Sequence, residues 1–281
     1  MSQLDRLSAI LEQFPVRAEL FHQGPLCGST MFEAKPGRGF LHILRRGAMV
    51  VTHGGGEGAP VRVVLEHPTL LFYPRAIAHE FHNPPMDGSD FTCATVAFAG
   101  GDAHPIARAL PPLTLVPIPE VPGIEPALEL LFDETRNARC GSRLLADRLF
   151  EIVLLQLLRW MLDQSLVSVG LVAGLGDPKL ARALTAIHEA PKAHWTLAQM
   201  ADVAGMSRSA FSSRFHQVLG VTPAEYVADW KLARANDLLR QGKTLAYVAD
   251  ETGYSSHAAL SRAFRRRRGM SPRQWLQRER A

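Results

Sequence analysis

The chain has few cysteines and no long uninterrupted hydrophobic run, and both shortages exclude classes of protein. Its 281 residues include three cysteines, Cys27, Cys93 and Cys140, and none of them forms a C-x-x-C pair. Three scattered cysteines cannot build a disulfide framework, so we expect a reducing, cytoplasmic location. The most apolar stretch, 149–162, is interrupted by charged residues and is too short to span a bilayer, so we expect no membrane partner.

We also expect no export signal at the beginning of the chain. Leu4, Leu7, Leu11 and Phe14 follow helical spacing, and charged residues interrupt the apolar core that a signal peptide requires. We therefore interpret this segment as an amphipathic helix.

The net charge of +4 conceals a difference between the two ends of the chain. Lys and Arg outnumber Asp and Glu roughly two to one in residues 179–281, whereas residues 1–178 carry a net negative charge. A local excess of positive charge is typical either of a solvated basic surface or of a surface that binds a polyanion.

The pattern along the chain predicts two domains of different class. Residues 39–98 are short apolar runs separated by turn residues, including a glycine-rich hairpin loop at 53–58, and they predict an antiparallel β-barrel or sandwich. Helical patterns follow at 125–138 and 142–164. We thus expect a sensor and dimerisation domain at 1–164, a linker at 165–176 and an all-α domain at 177–281.

Seven helices are expected in the all-α domain, beginning near residues 178, 196, 207, 223, 244, 255 and 272. The fold class is therefore α+β with two domains, an N-terminal β-barrel with flanking helices and a C-terminal seven-helix domain.

A helix-turn-helix pattern occurs twice in the last third of the chain, with an offset of 48 to 49 residues. Each copy has a threonine before a short apolar helix, a glycine in a tight turn, a serine before the next helix and inward-pointing apolar residues. The first copy comprises Thr196-Leu197-Ala198, Gly205-Met206-Ser207, Phe211, Phe215, Gly220 and Thr222-Pro223. The second comprises Thr244-Leu245-Ala246, Gly253-Tyr254-Ser255, Leu260, Phe264, Gly269 and Ser271-Pro272.

One helix from Pro223 to Arg240 joins the two copies. Its length is about 27 Å at about 1.5 Å per residue. With the flanking turns, the two recognition helices would lie about 34 Å apart, which is one turn of B-DNA. A single chain would then read two successive major grooves.

The duplicated pattern resembles the AraC/XylS family of transcriptional regulators. The string Trp230-Lys231-Leu232-Ala233-Arg234-Ala235 in the joining helix and the closing Gly269-Met270-Ser271-Pro272 belong to the same resemblance. It implies a sequence-specific regulator of transcription, more often an activator, that binds double-stranded DNA. It also implies a homodimer and RNA polymerase as a further partner.

The front half resembles the cupin-type regulatory barrel that accompanies such domains. Pro74-x-Ala76-x-x-His79-x-x-x-Asn83 is similar to the second cupin motif, with Ala76 where glycine is usual. The order of Cys27, His42, His79 and Cys93 looks like a cupin subgroup of these regulators in which a redox-active cysteine pair is known.

Outward positions of the two recognition helices are the candidates for DNA contact. Arginine pairs with guanine and serine with several base edges, so a serine-rich helix would be a permissive reader. Arg262 is the strongest base-reading candidate, and cations at the end of the second helix suit phosphate contact. The predicted contacts are Arg208, Ser209, Ser212, Ser213, Ser256, His257, Arg262, Arg265 and Arg266.

The sequence leaves three interpretations of the barrel interior open. A small organic effector would be lined by Phe40, Phe72, Tyr73 and Phe81, with His42 or His79 as polar contacts. Alternatively, Cys27 and Cys93 respond to an oxidant by forming a disulfide, or they hold zinc together with His42 and His79. In the third reading these residues are ordinary core or surface groups.

An enzyme with an appended DNA-binding module is the alternative function. A metal-dependent cupin enzyme needs several His and Glu ligands, and apolar Leu44 and Met49 stand where the first cupin motif supplies two of them after His42. No other catalytic arrangement is evident, so we expect no enzymatic activity.

Overall fold

A computed structural model describes residues 4–55, 58–83, 89–101, 104–137, 139–164 and 169–280. The chain forms two compact units. The β unit is Val16–Val167, and the helical unit combines Met1–Pro15 with Ser168–Ala281. Our sequence-based division differs in placing residues 1–15 with the sensor domain, since an amphipathic pattern does not reveal which partner its apolar side will meet.

Two antiparallel sheets form the core of the β unit. One has the strand order β1-β8-β3-β6-β9 and the other has the order β2-β7-β4-β5. The strands are β1 (Val16–Leu26), β2 (Gly28–Phe32), β3 (Gly39–Arg46), β4 (Met49–His53), β5 (Arg62–Leu65), β6 (Thr69–Tyr73), β7 (His79–Asn83), β8 (Ser89–Phe98) and β9 (Thr114–Pro117).

A closed barrel, which we predicted, is not present among the described residues, because their ladders stop at the edges of two separate sheets. The β unit is instead cupin-like in having two facing β-sheets with aromatic side chains between them. Long apolar strands such as β3 and β6 are buried almost throughout, as expected for strands covered on both faces.

Helices cover part of the β unit. They are α2 (Pro105–Ala109), α3 (Glu125–Arg136) and α4 (Ser142–Asp163), and α3 packs against α4. The apolar residues of α4 are mostly buried, but Leu144, Leu145 and Ile152 are exposed. Leu145 and Ile152 are seven positions apart and therefore share one face of the helix.

The helical unit begins with α1 (Ser8–Gln13) and resumes after the β unit. Its later helices are α5 (Leu171–Gly176), α6 (Pro178–Glu189), α7 (Leu197–Ala204), α8 (Arg208–Leu219), α9 (Pro223–Arg240), α10 (Leu245–Glu251), α11 (His257–Arg268) and α12 (Pro272–Arg280). The helices from α6 onward begin within two residues of the expected positions. A description by seven helices is incomplete, because α1 and α5 belong to the same unit.

Part of the predicted linker is folded. Residues 165–168 lie outside the described part of the chain, but α5 buries Leu171 and Leu175. A Cβ at Gly174 would come within 2.8 Å of a Leu184 methyl and 2.9 Å of a Leu219 methyl. The small, glycine-bearing composition that suggested a linker instead allows close helix packing.

Candidate nucleic-acid interface and sensor residues

The first helix-turn-helix, α7 and α8, is defined by local capping. Thr196 accepts a hydrogen bond from the Gln199 N–H, and the Gln199 side chain accepts one from the Thr196 N–H. Gly205 ends α7 at φ +64°, a left-handed conformation that glycine adopts without a Cβ penalty. Ser207 then caps α8 through the Ala210 N–H at 3.3 Å. These contacts fix the direction in which α8 leaves the turn.

One side of α8 is core and the other faces solvent. Phe211 and Phe215 are fully buried with ring centroids 5.3 Å apart. Of the predicted DNA contacts, Arg208, Ser209 and Ser213 are exposed and Ser212 is half-buried. Exposure is the condition for contacting DNA, and these four residues meet it to different degrees.

The second helix-turn-helix, α10 and α11, contains one more residue in its turn than the first. Gly253 lies 48 positions after Gly205, whereas Ser256, the N-cap of α11, lies 49 positions after Ser207. We expected α11 to start at Ser255, but it starts at His257 because Ser256 accepts the hydrogen bond from the Ala259 N–H at 3.1 Å. Ser256 therefore has a structural role that the sequence analysis did not assign.

No residue larger than glycine fits at position 253 in that turn. Gly253 has a φ of +67°, and a Cβ added there would collide with the Lys192 carbonyl oxygen. A side chain would have to displace the backbone, so glycine is required at this position.

The extra turn residue changes which positions of the two recognition helices are equivalent. His257 occupies the position of Arg208, and Arg262 that of Ser213, and all four are exposed. Ser261 occupies the position of the half-buried Ser212, and sequence reasoning missed it. An alignment of the two helices on their N-cap serines, Ser207 and Ser256, would have identified Ser261.

The arginines at the end of α11 differ in whether their side chains are bound by residues of another helix. Arg265 and Arg266 are exposed, and Arg266 also lines a cleft of about 520 Å³ inside the helical unit. The Arg267 guanidinium, in contrast, binds the Asp229 carboxylate at 2.9 Å and the Glu225 carbonyl at 3.1 Å, both on α9. Arg267 thus fastens α11 to the joining helix.

The joining helix α9 spans Pro223–Arg240, as predicted, with Thr222 and Glu225 forming a capping box. Its inner side packs into an apolar core shared with α10, α11 and α12. That core comprises Leu232, Ala235, Leu238, Leu239, Val248, Ala249, Leu260, Phe264 and Trp275. The second helix-turn-helix is therefore packed directly on α9.

Two predicted sensor residues, His42 and His79, meet inside the β unit. Their Nε2 atoms are 2.9 Å apart, and His79 Nδ1 lies 2.9 Å from the Ile77 carbonyl oxygen. The carbonyl can only accept, so His79 Nδ1 donates and its Nε2 accepts from the His42 Nε2–H. His42 Nδ1 is then a buried acceptor, and no described residue gives it a hydrogen bond.

Burial keeps both imidazoles neutral. It lowers the pKa of His79 from 6.5 to about 4, with the Ile77 hydrogen bond opposing the change and the charge of His53 adding to it. Burial also lowers the pKa of His42 well below 6.5, and the charges of His79 and His22 lower it further. His53 extends this contact network, since its Nε2 lies 2.9 Å from the Tyr73 hydroxyl.

The aromatic side chains predicted to line an effector site divide between two sides of a sheet. Phe40, Tyr73 and Phe81 pack around the histidines, with His79 stacked on Tyr73 at 4.2 Å between ring centroids. Phe72 is buried too, but it neighbours Tyr73 on β6 and therefore points to the opposite face. Phe72 does not share the site.

The two cysteines of the redox hypothesis are not brought together. Cys93 is fully buried on β8 opposite His42, whereas Cys27 is exposed beyond the end of β1. Leu26, the neighbour of Cys27, pairs with Ser89. Ser89 is four residues from Cys93 and so roughly 14 Å away along the strand, beyond the Cα separation that a disulfide tolerates.

The described residues contain no group of three or more His, Cys, Asp or Glu side chains placed to hold a metal ion. Of the four predicted zinc ligands, His42 and His79 lie together, but the two thiols do not complete a metal site with them. Within the same part of the chain, no helix combines the length and the apolarity needed to cross a membrane.

Comparison with known proteins yields matches to both halves of the chain. A family model described as a cupin matches residues 5–163, and one described as a helix-turn-helix domain matches residues 200–278. An AraC-like transcription regulator of Streptomyces lividans is 40% identical over 167 residues, 58% of this chain and 55% of that protein. An HTH-type transcriptional regulator of Haemophilus influenzae is 25% identical over 300 residues, 98% of each chain. The chain thus spans about half the length of the Streptomyces relative and nearly all of the Haemophilus one.

Proposed function

Because the chain belongs to the cupin family and carries a helix-turn-helix domain of the AraC type, we propose that it is a sequence-specific DNA-binding transcriptional regulator. The observation that carries this proposal is the pair of helix-turn-helix units joined by α9, each with polar or basic residues on the exposed side of its second helix. The excess of positive charge in the same part of the chain favours binding to the phosphate backbone.

Base reading in this proposal is unequal between the two recognition helices. On α8, Arg208 reads a guanine and Ser209, Ser212 and Ser213 make contacts that many sequences satisfy. On α11, His257 and Arg262 carry most of the discrimination, while Arg265 and Arg266 contact phosphates. Ser256 helps to position α11 by capping it.

The length of α9, about 27 Å, suits recognition helices placed one DNA turn apart. The experiment is to incubate the purified full chain with sheared genomic DNA at physiological salt and to sequence the retained fragments. Enrichment of a motif with two half-sites about ten base pairs apart supports the proposal. Uniform retention of all fragments would contradict sequence specificity.

The β unit acts as the sensor in this proposal. Its buried histidines and phenylalanines suit a small organic effector better than a thiol switch, because Cys27 and Cys93 lie apart. An activator would also contact RNA polymerase, as the family resemblance implies. For an enzyme, Leu44 and Met49 are both buried apolar side chains where metal ligands would be needed.

A homodimer is part of the proposal, and the exposed pair Leu145 and Ile152 on α4 is its best-supported contact. A second copy would bury these side chains in an isologous interface. Sedimentation of the full chain and of an Ile152→Glu variant tests this. A dimer that the variant converts to monomer supports the contact, and a monomeric parent chain contradicts it.

A further inference from the structure

A cavity of about 430 Å³ opens on the β unit, and it adjoins the histidine pair, because its wall residues Phe32 and Phe40 stack on His79 and His42 at 5.0 Å and 5.5 Å between ring centroids. Its apolar wall consists of Phe21, Met31, Phe32 and Phe40. Phe32 and Phe40 are buried, whereas Phe21 is 44% exposed and Met31 is 60% exposed. Large apolar side chains exposed beside a cavity mark a surface that a ligand could cover.

The three phenylalanines form a triangle of rings. Their centroids are 6.0 Å apart between Phe21 and Phe32 and 6.1 Å apart in the other two pairs, all edge to face. Such a wall presents ring faces and edges at fixed angles, which suits a flat aromatic guest. Thr95 adds a half-buried hydroxyl to the lining.

A tight turn between β2 and β3 places two cations at the rim. The Arg38 N–H donates to the Lys35 carbonyl oxygen at 3.0 Å, and Gly37 within the turn has a φ of +73°. Pro36 precedes this glycine, as in a type II turn, so the backbone position of both cations is well defined. Lys35 and Arg38 both line the cavity, and neither forms an ion pair within the described residues.

The rim of the cavity carries a net positive charge. Glu33 also lines the cavity, so two positive charges face one negative charge. This net charge attracts an anionic group, and the planar fork of the Arg38 guanidinium matches the geometry of a carboxylate.

We propose that this cavity binds an aromatic monocarboxylate, with its ring against Phe21, Phe32 and Phe40 and its carboxylate at Lys35 and Arg38. This names the class of effector for the sensor role proposed above and rests on that role for its biological meaning. The binding itself does not depend on DNA and is measured separately.

The test uses isothermal titration of the full chain with 2-naphthoate and with the neutral 2-naphthylmethanol. We expect one 2-naphthoate per chain. The double variant Lys35→Gln/Arg38→Gln should weaken binding about tenfold, since a partly exposed pair of charges contributes on the order of one decade in affinity. The alcohol should bind the parent chain about as weakly as 2-naphthoate binds the double variant.

Two further variants separate the charge from the apolar wall. Arg62→Gln removes an exposed cation on β5, away from the cavity lining, and should leave binding unchanged. Phe21→Ala should weaken the acid and the alcohol alike, because it removes part of the wall that both ligands share. Thermal unfolding of each variant shows whether the fold is preserved.

Absence of 2-naphthoate binding, equal binding of acid and alcohol, or equal binding to the parent and the double variant would each overturn the proposal. DNA retention is measured on the same samples. If the chain binds DNA but not 2-naphthoate, only the proposed effector class is refuted. If it binds 2-naphthoate but no DNA, the proposed role as a DNA-binding regulator is refuted.

Discussion

The ring of Phe14 packs edge-on against the indole of Trp230, with ring centroids 5.0 Å apart and an interplanar angle of 73°. This contact joins the beginning of the chain to the helix that connects the two helix-turn-helix units. Arg234 strengthens it by donating to the Gln13 carbonyl oxygen at 3.1 Å, and Ile10 is fully buried nearby. Residues 4–15 are thus a structural part of the helical unit.

Phe14→Ala should destabilise the helical unit by about 3 kcal/mol, the usual cost of emptying a buried phenylalanine site. Hydrogen exchange at the amides of α6 and α9 measures the effect, and Leu4→Ala, at a position 42% exposed, is the matched control. If exchange accelerates in the strands of the β unit instead, the assignment of this segment is wrong.

Arg262→Ala should reduce affinity for the selected site by about 1 to 3 kcal/mol and relax preference at one base pair. The reason is that Arg262 is exposed on the recognition helix at the position equivalent to Ser213. Competition binding with single-base variants of the site measures it. Equal weakening on all sequences would show that Arg262 contacts phosphate only.

Arg265 and Arg267 provide a matched pair for phosphate contact. Arg265→Ala should make the negative slope of log affinity against log salt concentration shallower by about 0.9. The reason is that fewer counterions are released from the DNA when one phosphate contact is removed. Arg267→Ala should leave that slope unchanged, since its guanidinium is already bound to Asp229. Binding titrations over a range of salt concentrations distinguish them, and identical slopes for both variants would contradict the assignment.

The three thiols should differ in reactivity. Cys27 and Cys140 are exposed and should react at once with a disulfide reagent, whereas Cys93 is fully buried, and burial raises the pKa of its thiol far above the ordinary value. Cys93 should therefore react only after denaturation. Cys27→Ser should remove one fast equivalent. Joint loss of Cys27 and Cys93 under mild oxidant would favour the thiol switch instead.

Acid should destabilise the β unit through its buried histidines. The pKa of His79 is about 4 in the fold and 6.5 in an ordinary environment, so the unfolded chain binds a proton that the native chain does not. Stability is then fully present above pH 6.5 and is lost as the pH falls towards about 4.

Urea unfolding across that pH range measures this dependence. His79→Gln should make the free energy of unfolding less dependent on pH, while His67→Gln, at an exposed position, should leave the slope as it is. If the free energy of unfolding of the His79 variant depends on pH as in the parent chain, groups other than His79 cause the pH dependence.

Much of the DNA-binding part was predictable because its signals are local. Thr196 and Ser207 cap helices only a few residues away, and Pro223 to Arg240 was identified with the observed limits. The one-residue shift at Ser256 was missed because Ser255 and Ser256 are both plausible caps, and backbone geometry chooses between them.

The β unit was less predictable. Strands β1, β2 and β9 lie outside the predicted β region 39–98. Residues of β1 alternate in exposure, but only Ala18 is fully buried, and β2 and β9 are short. Whether the strands close into a barrel depends on pairing between distant segments, which no local pattern specifies.

The order of residues alone determined the two helix-turn-helix repeats, the helix between them and the basic character of that region, because capping, helical periodicity and charge act over a few positions. Tertiary structure decided that Phe14 meets Trp230, that Cys27 lies apart from Cys93, that Phe72 turns away from His79 and that Arg267 binds Asp229. Each of these depends on how segments far apart in the chain pack, and packing free energy is a property of the assembled core rather than of any one segment.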